Sequence, residues 1–240
     1  MNAEIRRRLR AIKAATFLVR SGGSLYHRQC NLCGYSGPFG VAGRPPRYDA
    51  QCPECRSIER HRLFWHYISE HPETLTGRET LHFAPEPILQ RMIRPAASKY
   101  VTADIEPERA DLVINIEAIA LPEGSFDTVI CLHVLEHVDD RKALSELFRI
   151  IRPGGSLLTM VPIIEGWGTT YENPGIIKPE DRERYYGQHD HVRLYGSDFR
   201  ARVKRAGFDL TGFTVRPELV HHHGLLPGET LFIGTKPGSP

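Results

Sequence analysis

Four of the five cysteines fall into two pairs, Cys30-x-x-Cys33 and Cys52-x-x-Cys55, with 18 residues between them. Two C-x-x-C pairs held apart by a glycine-rich loop supply the four thiolates that a tetrahedral zinc ion requires. Each pair grips the ion from one tight turn, and a small residue such as Gly34 lets the backbone fold over the sulfurs. Four thiolates fill the coordination sphere, so such an ion is structural and its binding energy helps fold a module too small to hold itself together. Two disulfides, a redox C-x-x-C and an iron–sulfur cluster are the competing accounts. A basic start (Arg6, Arg7, Arg8, Arg10) without a clean apolar segment or cleavage site reads as no secretory signal, which speaks against disulfides. A redox motif leaves the duplication unexplained, and cluster spacings are differently grouped. Cys131, left over at the end of Val129-Ile130-Cys131, reads as a small buried hydrophobe.

A second concentration of chemistry lies in Tyr185-Tyr186-Gly187-Gln188-His189-Asp190-His191-Val192-Arg193-Leu194-Tyr195. Imidazoles titrate near neutral pH, and a carboxylate between two of them can orient one. Arg193 or Tyr185 is suited to an anionic or polar substrate, and Trp167, Tyr171 and Tyr186 to a pocket wall or to core packing. The alternative is a surface lid whose histidines are solvated. A second metal held by His189, Asp190, His191 and the His221–His223 run is a further reading; otherwise the triple histidine is an exposed loop. His133-x-x-Glu136-His137, read alone, is an inverted zinc-protease motif, but that use needs a helix with both histidines on one face.

The elements that must position these groups change character along the chain. Residues 2–20 read as an amphipathic helix ended by Ser21-Gly22-Gly23, residues 24–56 as turns, and Ser57–Ser69 as a second helix. Pro72 and Gly77 mark a boundary, giving an N-terminal helix and four-cysteine zinc module over 1–72 and a second domain over 73–240. From residue 79, strands alternate with helices: Thr80–Phe83, Ile88–Ile93, Tyr100–Ala103, Leu112–Ile114, Thr128–Leu132, Asp139–Ile151 and Ser156–Val161. That alternation predicts an α/β fold, a parallel sheet with helices on both faces. Ser197–Ala206 reads as a further helix, and Asp209–Val215 with Thr230–Thr235 as an antiparallel edge hairpin.

The stretch Leu121-Pro122-Glu123-Gly124-Ser125-Phe126-Asp127-Thr128-Val129-Ile130-Cys131-Leu132-His133-Val134-Leu135-Glu136-His137, followed by Arg152-Pro153-Gly154-Gly155, resembles the core of class I S-adenosylmethionine-dependent methyltransferases. The likeness covers about residues 79–165. It implies a Rossmann-like class I methyltransferase sheet preceded by a small zinc-ribbon-like module. Pro153-Gly154-Gly155 is then expected to stop a helix and turn it into the next strand. It also implies cofactor contacts: Asp104 at the end of the second strand toward the ribose hydroxyls, Asn115 and Ile116 toward adenine, Leu132 and His133 beside the methionyl part. At the first strand the family has G-x-G-x-G, whereas this chain reads Phe83-Ala84-Pro85-Glu86-Pro87. A dinucleotide enzyme needs those glycines for its pyrophosphate. S-adenosylmethionine has no phosphate, so Phe83, Ala84 and Glu86 can still flank it. The pairing of the four-cysteine segment with a His82-Phe83-Ala84-Pro85-Glu86 strand also looks like a bacterial subgroup of these enzymes.

In this fold His189, Asp190 and His191 fall where substrate-facing residues often lie, and are the candidate catalytic groups. The implied activity is methyl transfer to oxygen or nitrogen of a small-molecule or sugar-type acceptor. Two other functions stand beside it. Ribosomal RNA guanine methyltransferases share the layout of a cysteine module ahead of such a domain. Residues 1–66 hold 12 Lys and Arg against 4 Asp and Glu, and the remainder holds 19 against 25. A basic head suits an anionic partner such as RNA, or simply solvates a module with little core. The missing glycines also fit a zinc-dependent adaptor that no longer catalyses. Ordinary composition, with 40% hydrophobic and 25% charged residues, and the lack of a run of about 20 apolar residues make a cytoplasmic location without membrane partners the expectation.

Overall fold

The strand segments Thr80–Phe83, Thr128–Leu132 and Leu157–Met160 are buried on both faces, so each needs cover from above and below, and a sheet sandwiched between helices supplies it. In the computed structural model, residues 26–238 are described together with 4, 5, 8, 9, 12, 15 and 16. The helix expected over residues 2–20 therefore lies largely outside the described residues. The chain divides into two units, Met1–Pro72 with Phe213–Thr230 and Glu73–Gly212 with Leu231–Pro240. The segment Phe213–Thr230, which the sequence reading keeps in the second domain, thus clusters with the first unit.

The first unit is built from two small antiparallel ladders, β1 (Arg28–Gln29) with β2 (Ser36–Gly37) and β3 (Gly40–Ala42) with β4 (Arg47–Gln51), and from helix α1 (Glu59–Glu70). Arg62 on α1 is fully buried. Its guanidinium donates to the carbonyls of Ser57, Ala50, His223 and Gly224 at 2.6–2.8 Å and lies 4.7 Å from the Phe39 ring. Arg28 donates to the His221 carbonyl and to Asp49, and Arg47 to Glu59. Arg28 and Arg62 bind the segment Phe213–Thr230 into the unit, and all three arginines offset its small core, so part of the basic head is used internally.

In the second unit seven strands form one sheet in the order β12–β13–β9–β8–β5–β6–β7, the strands being β5 (Glu79–Phe83), β6 (Lys99–Asp104), β7 (Leu112–Val113), β8 (Phe126–Leu132), β9 (Ile151–Met160), β12 (Asp209–Phe213) and β13 (Leu231–Thr235). All pairings from β7 to β9 are parallel, and β13 runs antiparallel to β9. The connections carry α2 (Pro87–Ile93), α3 (Asp140–Ile150), the short ladder β10 (Tyr171–Glu172) with β11 (Arg193–Leu194), α4 (Pro179–Tyr186) and α5 (Phe199–Arg205). Leu81, Val129, Leu144, Leu147, Leu157, Phe199 and Phe232 meet in the core with at most 1% exposure. Cys131 is buried among them, as expected of a small hydrophobe.

Three expectations are corrected. The closing strands β12 and β13 are sheet neighbours, but helix α6 (Pro217–His223) intervenes, so they form no tight hairpin. His221–His223 close that helix, where His222 and His223 bond Gln29; they are not a loop. Pro153-Gly154-Gly155 does not stop a helix. The strand starts at Ile151, and the register against β8 slips between Phe126↔Ile151 and Thr128↔Ser156, so these residues form a bulge inside β9. A Cβ on Gly155 would lie 2.5 Å from the Asp127 carbonyl oxygen, which is why glycine stands there.

Candidate functional site

Register aligns the ends of three neighbouring parallel strands. Phe83 of β5 lies level with Ala103 of β6 and Cys131 of β8. The residues that follow, Ala84, Asp104 and Leu132, therefore emerge along one edge, the carboxyl ends of the central strands, where ligands bind in open α/β sheets. Two non-glycine residues sit there in the left-handed region: Ala84 at φ 47° and His133 at φ 54°. Each is tied by its backbone, Ala84 N–H to the Ala103 carbonyl at 2.9 Å and His133 N–H to the Met160 carbonyl at 2.8 Å. Left-handed backbone at non-glycine residues costs on the order of 1–3 kcal/mol and clusters at functional sites.

The turn after β5 is ill suited to phosphate. Glu86 places a carboxylate at the N-cap of α2, and Pro85 and Pro87 offer no N–H. The same features suit a cation such as a sulfonium or an ammonium group. Asp104 is half-buried, and its Oδ1 accepts from the Glu106 N–H at 2.9 Å. Asn115 is exposed, and its Oδ1 accepts from the Glu117 N–H at 2.9 Å, a local turn that fixes the side chain. Ile116 is 5% exposed and belongs to the core. The donor and acceptor set thus fits a nucleoside that carries positive charge and no phosphate.

Next to this edge lies the His133–His137 turn. Leu135–His137 form a single 3₁₀ turn rather than the helix an inverted protease motif needs. Val192 N–H donates to the Glu136 carbonyl at 2.9 Å, the Tyr195 hydroxyl to the Leu135 carbonyl at 3.0 Å, and Arg193 to the carbonyls of Leu135 and Val138. Arg193 is buried and also pairs with Glu172 at 2.9 Å. It pins the turn and is not the exposed substrate clamp that the sequence suggested. Tyr186 is likewise core, its hydroxyl accepting from the Asn173 N–H, whereas Trp167, Tyr171 and Tyr185 remain exposed.

Of the three candidate catalytic residues, His189 is exposed and its Nδ1 stands 4.0 Å from Asp190. Asp190 instead meets His137 Nδ1 at 3.2 Å. His191 is 8% exposed, its Nδ1 lies 3.3 Å from the Tyr186 carbonyl, and burial lowers its pKa. Its ring meets that of His137 edge to face, with centroids 4.7 Å apart. Asp190 therefore lies nearest His137 of the Leu135–His137 turn, closer than to His189 beside it in sequence. His137 was legible only through the H-x-x-E-H spacing. An open cleft of about 440 Å³ is lined by residues including Glu117, His137, Asp139, Glu172 and Arg193.

In the first unit, both C-x-x-C pairs fold into the same turn. Cys30 N–H donates to the Tyr35 carbonyl and Gly34 N–H to the Cys30 carbonyl; Cys52 N–H donates to the Ser57 carbonyl and Arg56 N–H to the Cys52 carbonyl. The residue after each pair is left-handed, Gly34 at φ 76° and Arg56 at φ 67°. Sulfur separations of 3.6 Å (Cys30–Cys55) and 3.7 Å (Cys33–Cys52) exceed the ~2.05 Å of a disulfide. They match the edge of a tetrahedron with zinc–sulfur bonds of ~2.3 Å, which is about 3.8 Å. Hydrogen bonding from Cys33 foremost lowers the Cys30 pKa, and bonding to Cys30 foremost raises that of Cys52. All four can ionise together only around a cation.

Residues 76–159 match the protein-family model described as "Methyltransferase domain". The fold is that of the class I methyltransferases. Over 109 residues the chain is 28% identical to the ubiquinone/menaquinone biosynthesis C-methyltransferase UbiE of Escherichia coli, a match that spans 40% of this chain and 43% of that relative. The chain thus covers less than half the length of the curated relatives it matches. An S-adenosylmethionine-dependent methyltransferase from Mesorhizobium loti superimposes with a TM-score of 0.52 at 14% identity, over 72% of this chain and 98% of that one. The [4+2]-cyclase SpnF superimposes with a TM-score of 0.54 at 12% identity, over 95% of this chain and 94% of that one. At such identities the likeness establishes the fold, and one fold hosts several chemistries. No helix among the described residues is long and apolar enough to cross a membrane.

Proposed function

We propose that this protein transfers the methyl group of S-adenosylmethionine to oxygen or nitrogen of a small-molecule or sugar-type acceptor in the cytoplasm. The observation that carries the reading is the shared edge of β5, β6 and β8, where a carboxylate and two left-handed non-glycine turns flank a phosphate-unfriendly helix start. S-adenosylmethionine, when bound, supplies an electrophilic methyl group. Asp104 accepts from the ribose hydroxyls, Asn115 and the Ile116 backbone face adenine, and Phe83, Ala84, Glu86, Leu132 and His133 flank the methionyl part. The acceptor lies on the side of His137, Asp190 and His191. A neutral imidazole there can take a proton from the acceptor as the methyl group arrives. Zinc on Cys30, Cys33, Cys52 and Cys55 holds the N-terminal unit folded.

Sequence likeness to a C-methyltransferase and fold likeness to a cyclase leave the acceptor atom to experiment. Isotope-labelled S-adenosylmethionine incubated with the zinc-loaded protein and either a metabolite extract or total RNA tests the reading. Label in the small-molecule fraction is expected. Label in RNA, with binding that weakens steeply as salt rises, would overturn it in favour of an RNA enzyme. No calorimetric binding of S-adenosylmethionine at millimolar ligand would favour the adaptor.

A further inference from the structure

The His133–His137 turn holds more than methyl transfer requires. We propose that Glu136, His137 and His191 form a binding site for a divalent first-row transition ion, distinct from the four-cysteine cluster.

One ligand atom from each of the three residues lies within 4.8 Å of the others. Metal bonds of about 2.1 Å place ligand atoms no more than about 4.2 Å apart, so rotamer adjustment alone closes the set. Glu136 is 1% exposed; its Oε1 meets His133 Nδ1 at 3.2 Å, and its Oε2 has no hydrogen-bond partner. A buried carboxylate oxygen without a partner is costly, and a cation removes that cost. The imidazoles are arranged as metal-bound histidines are. His137 Nδ1 faces the Asp190 carboxylate at 3.2 Å and His191 Nδ1 faces the Tyr186 carbonyl at 3.3 Å, which leaves Nε2 of each ring as the lone-pair donor. The bonds from Val192, Arg193 and Tyr195 hold the turn rigid.

Two imidazoles and one carboxylate select zinc, manganese, iron or cobalt over calcium and magnesium, which prefer all-oxygen cages. Three protein ligands leave further positions open toward the cleft that His137 lines, for water or an oxygen donor of a substrate. In this assignment His137 and His191 are both ligands, so with the ion bound neither imidazole is the proton acceptor of the methyl-transfer reading. The site goes beyond that reading and does not depend on it.

The test is titration of the full-length protein carrying one zinc per chain, the amount that fills the thiolate site and verified by metal analysis, with Mn2+, following the free-ion signal by electron paramagnetic resonance. Mn2+ is the weakest binder of its series and leaves zinc in the thiolate site. One Mn2+ per chain is expected. Glu136→Gln and His137→Ala should weaken it by roughly tenfold or more, Asp190→Asn by roughly 10- to 100-fold through loss of the orienting carboxylate, and His189→Ala not at all. His137 is partly exposed, so its variant retains the fold, which a thermal melt verifies. No Mn2+ binding up to about 1 mM, or unchanged binding in both Glu136→Gln and His137→Ala, overturns the proposal. Calorimetry with S-adenosylmethionine on the same samples separates the two readings: ion binding without cofactor binding would sink only the methyl-transfer proposal.

Discussion

Ala84 occupies the position of the first glycine of the family's cofactor turn, yet it adopts the backbone that glycine would, with φ at 47°. Replacing it by glycine tests whether that strain is present. A left-handed L-residue costs about 1–2 kcal/mol. Glycine removes this cost but returns about 0.4–1 kcal/mol of freedom to the unfolded chain. The net expectation for Ala84→Gly is stabilisation by about 0.5–1 kcal/mol, which for a chain of this size raises Tm by about 1–4 °C. Urea unfolding of the zinc-loaded protein reads it directly, as a higher midpoint with an unchanged slope. Because no phosphate needs the close approach, affinity for S-adenosylhomocysteine should stay within about threefold. Ala84→Val should go the other way, since a branched side chain resists this region more. A glycine variant that is less stable than the parent would show that the left-handed turn after β5 is absent and with it the strained edge.

Three further outcomes are expected. Asp104→Asn keeps an acceptor for the Glu106 N–H but loses a charge-assisted bond to the ribose, so S-adenosylhomocysteine affinity should fall about 10- to 150-fold by calorimetry with the melting curve unchanged. Chelation of zinc, or Cys52→Ser, should abolish protection from hydrogen exchange in residues 28–70; retained protection would remove the metal from the folding of this unit. Asp127 keeps a lowered pKa because the Glu79 N–H and Arg152 outweigh its burial, so the unfolded chain binds more protons than the native one as pH falls past 3.8. Its contribution is complete above that pH and lost through the lower native pKa. Asp127→Asn should flatten the acid limb of a stability–pH profile, measured by urea unfolding.

The sheet was legible because period and punctuation agree from β5 to β9: apolar runs of strand length, each bounded by a turn or a helix signal. Cys30, Cys33, Cys52 and Cys55 were legible from spacing alone, since C-x-x-C fixes a local turn. What sequence could not supply is partnership across long separations. In the sequence Arg62 is only one of the 12 basic residues of the head, but its donors reach carbonyls some 160 residues away. Arg193 looked like a substrate clamp and is instead the brace of the Leu135–His137 turn. Asp190 stands between two histidines in the sequence yet orients a third, His137, because β11 runs back beside that turn. The bulge at Pro153–Gly155 imitates a helix stop, since proline and glycine interrupt either element equally well.

Calorimetric titration of S-adenosylmethionine into the zinc-loaded protein addresses the central claim most directly. One site per chain with a micromolar Kd, lost together with the fold of the β5–β6–β8 edge and weakened in Asp104→Asn, is the expected result. Flat heats up to about 1 mM ligand, with the protein folded, would contradict it.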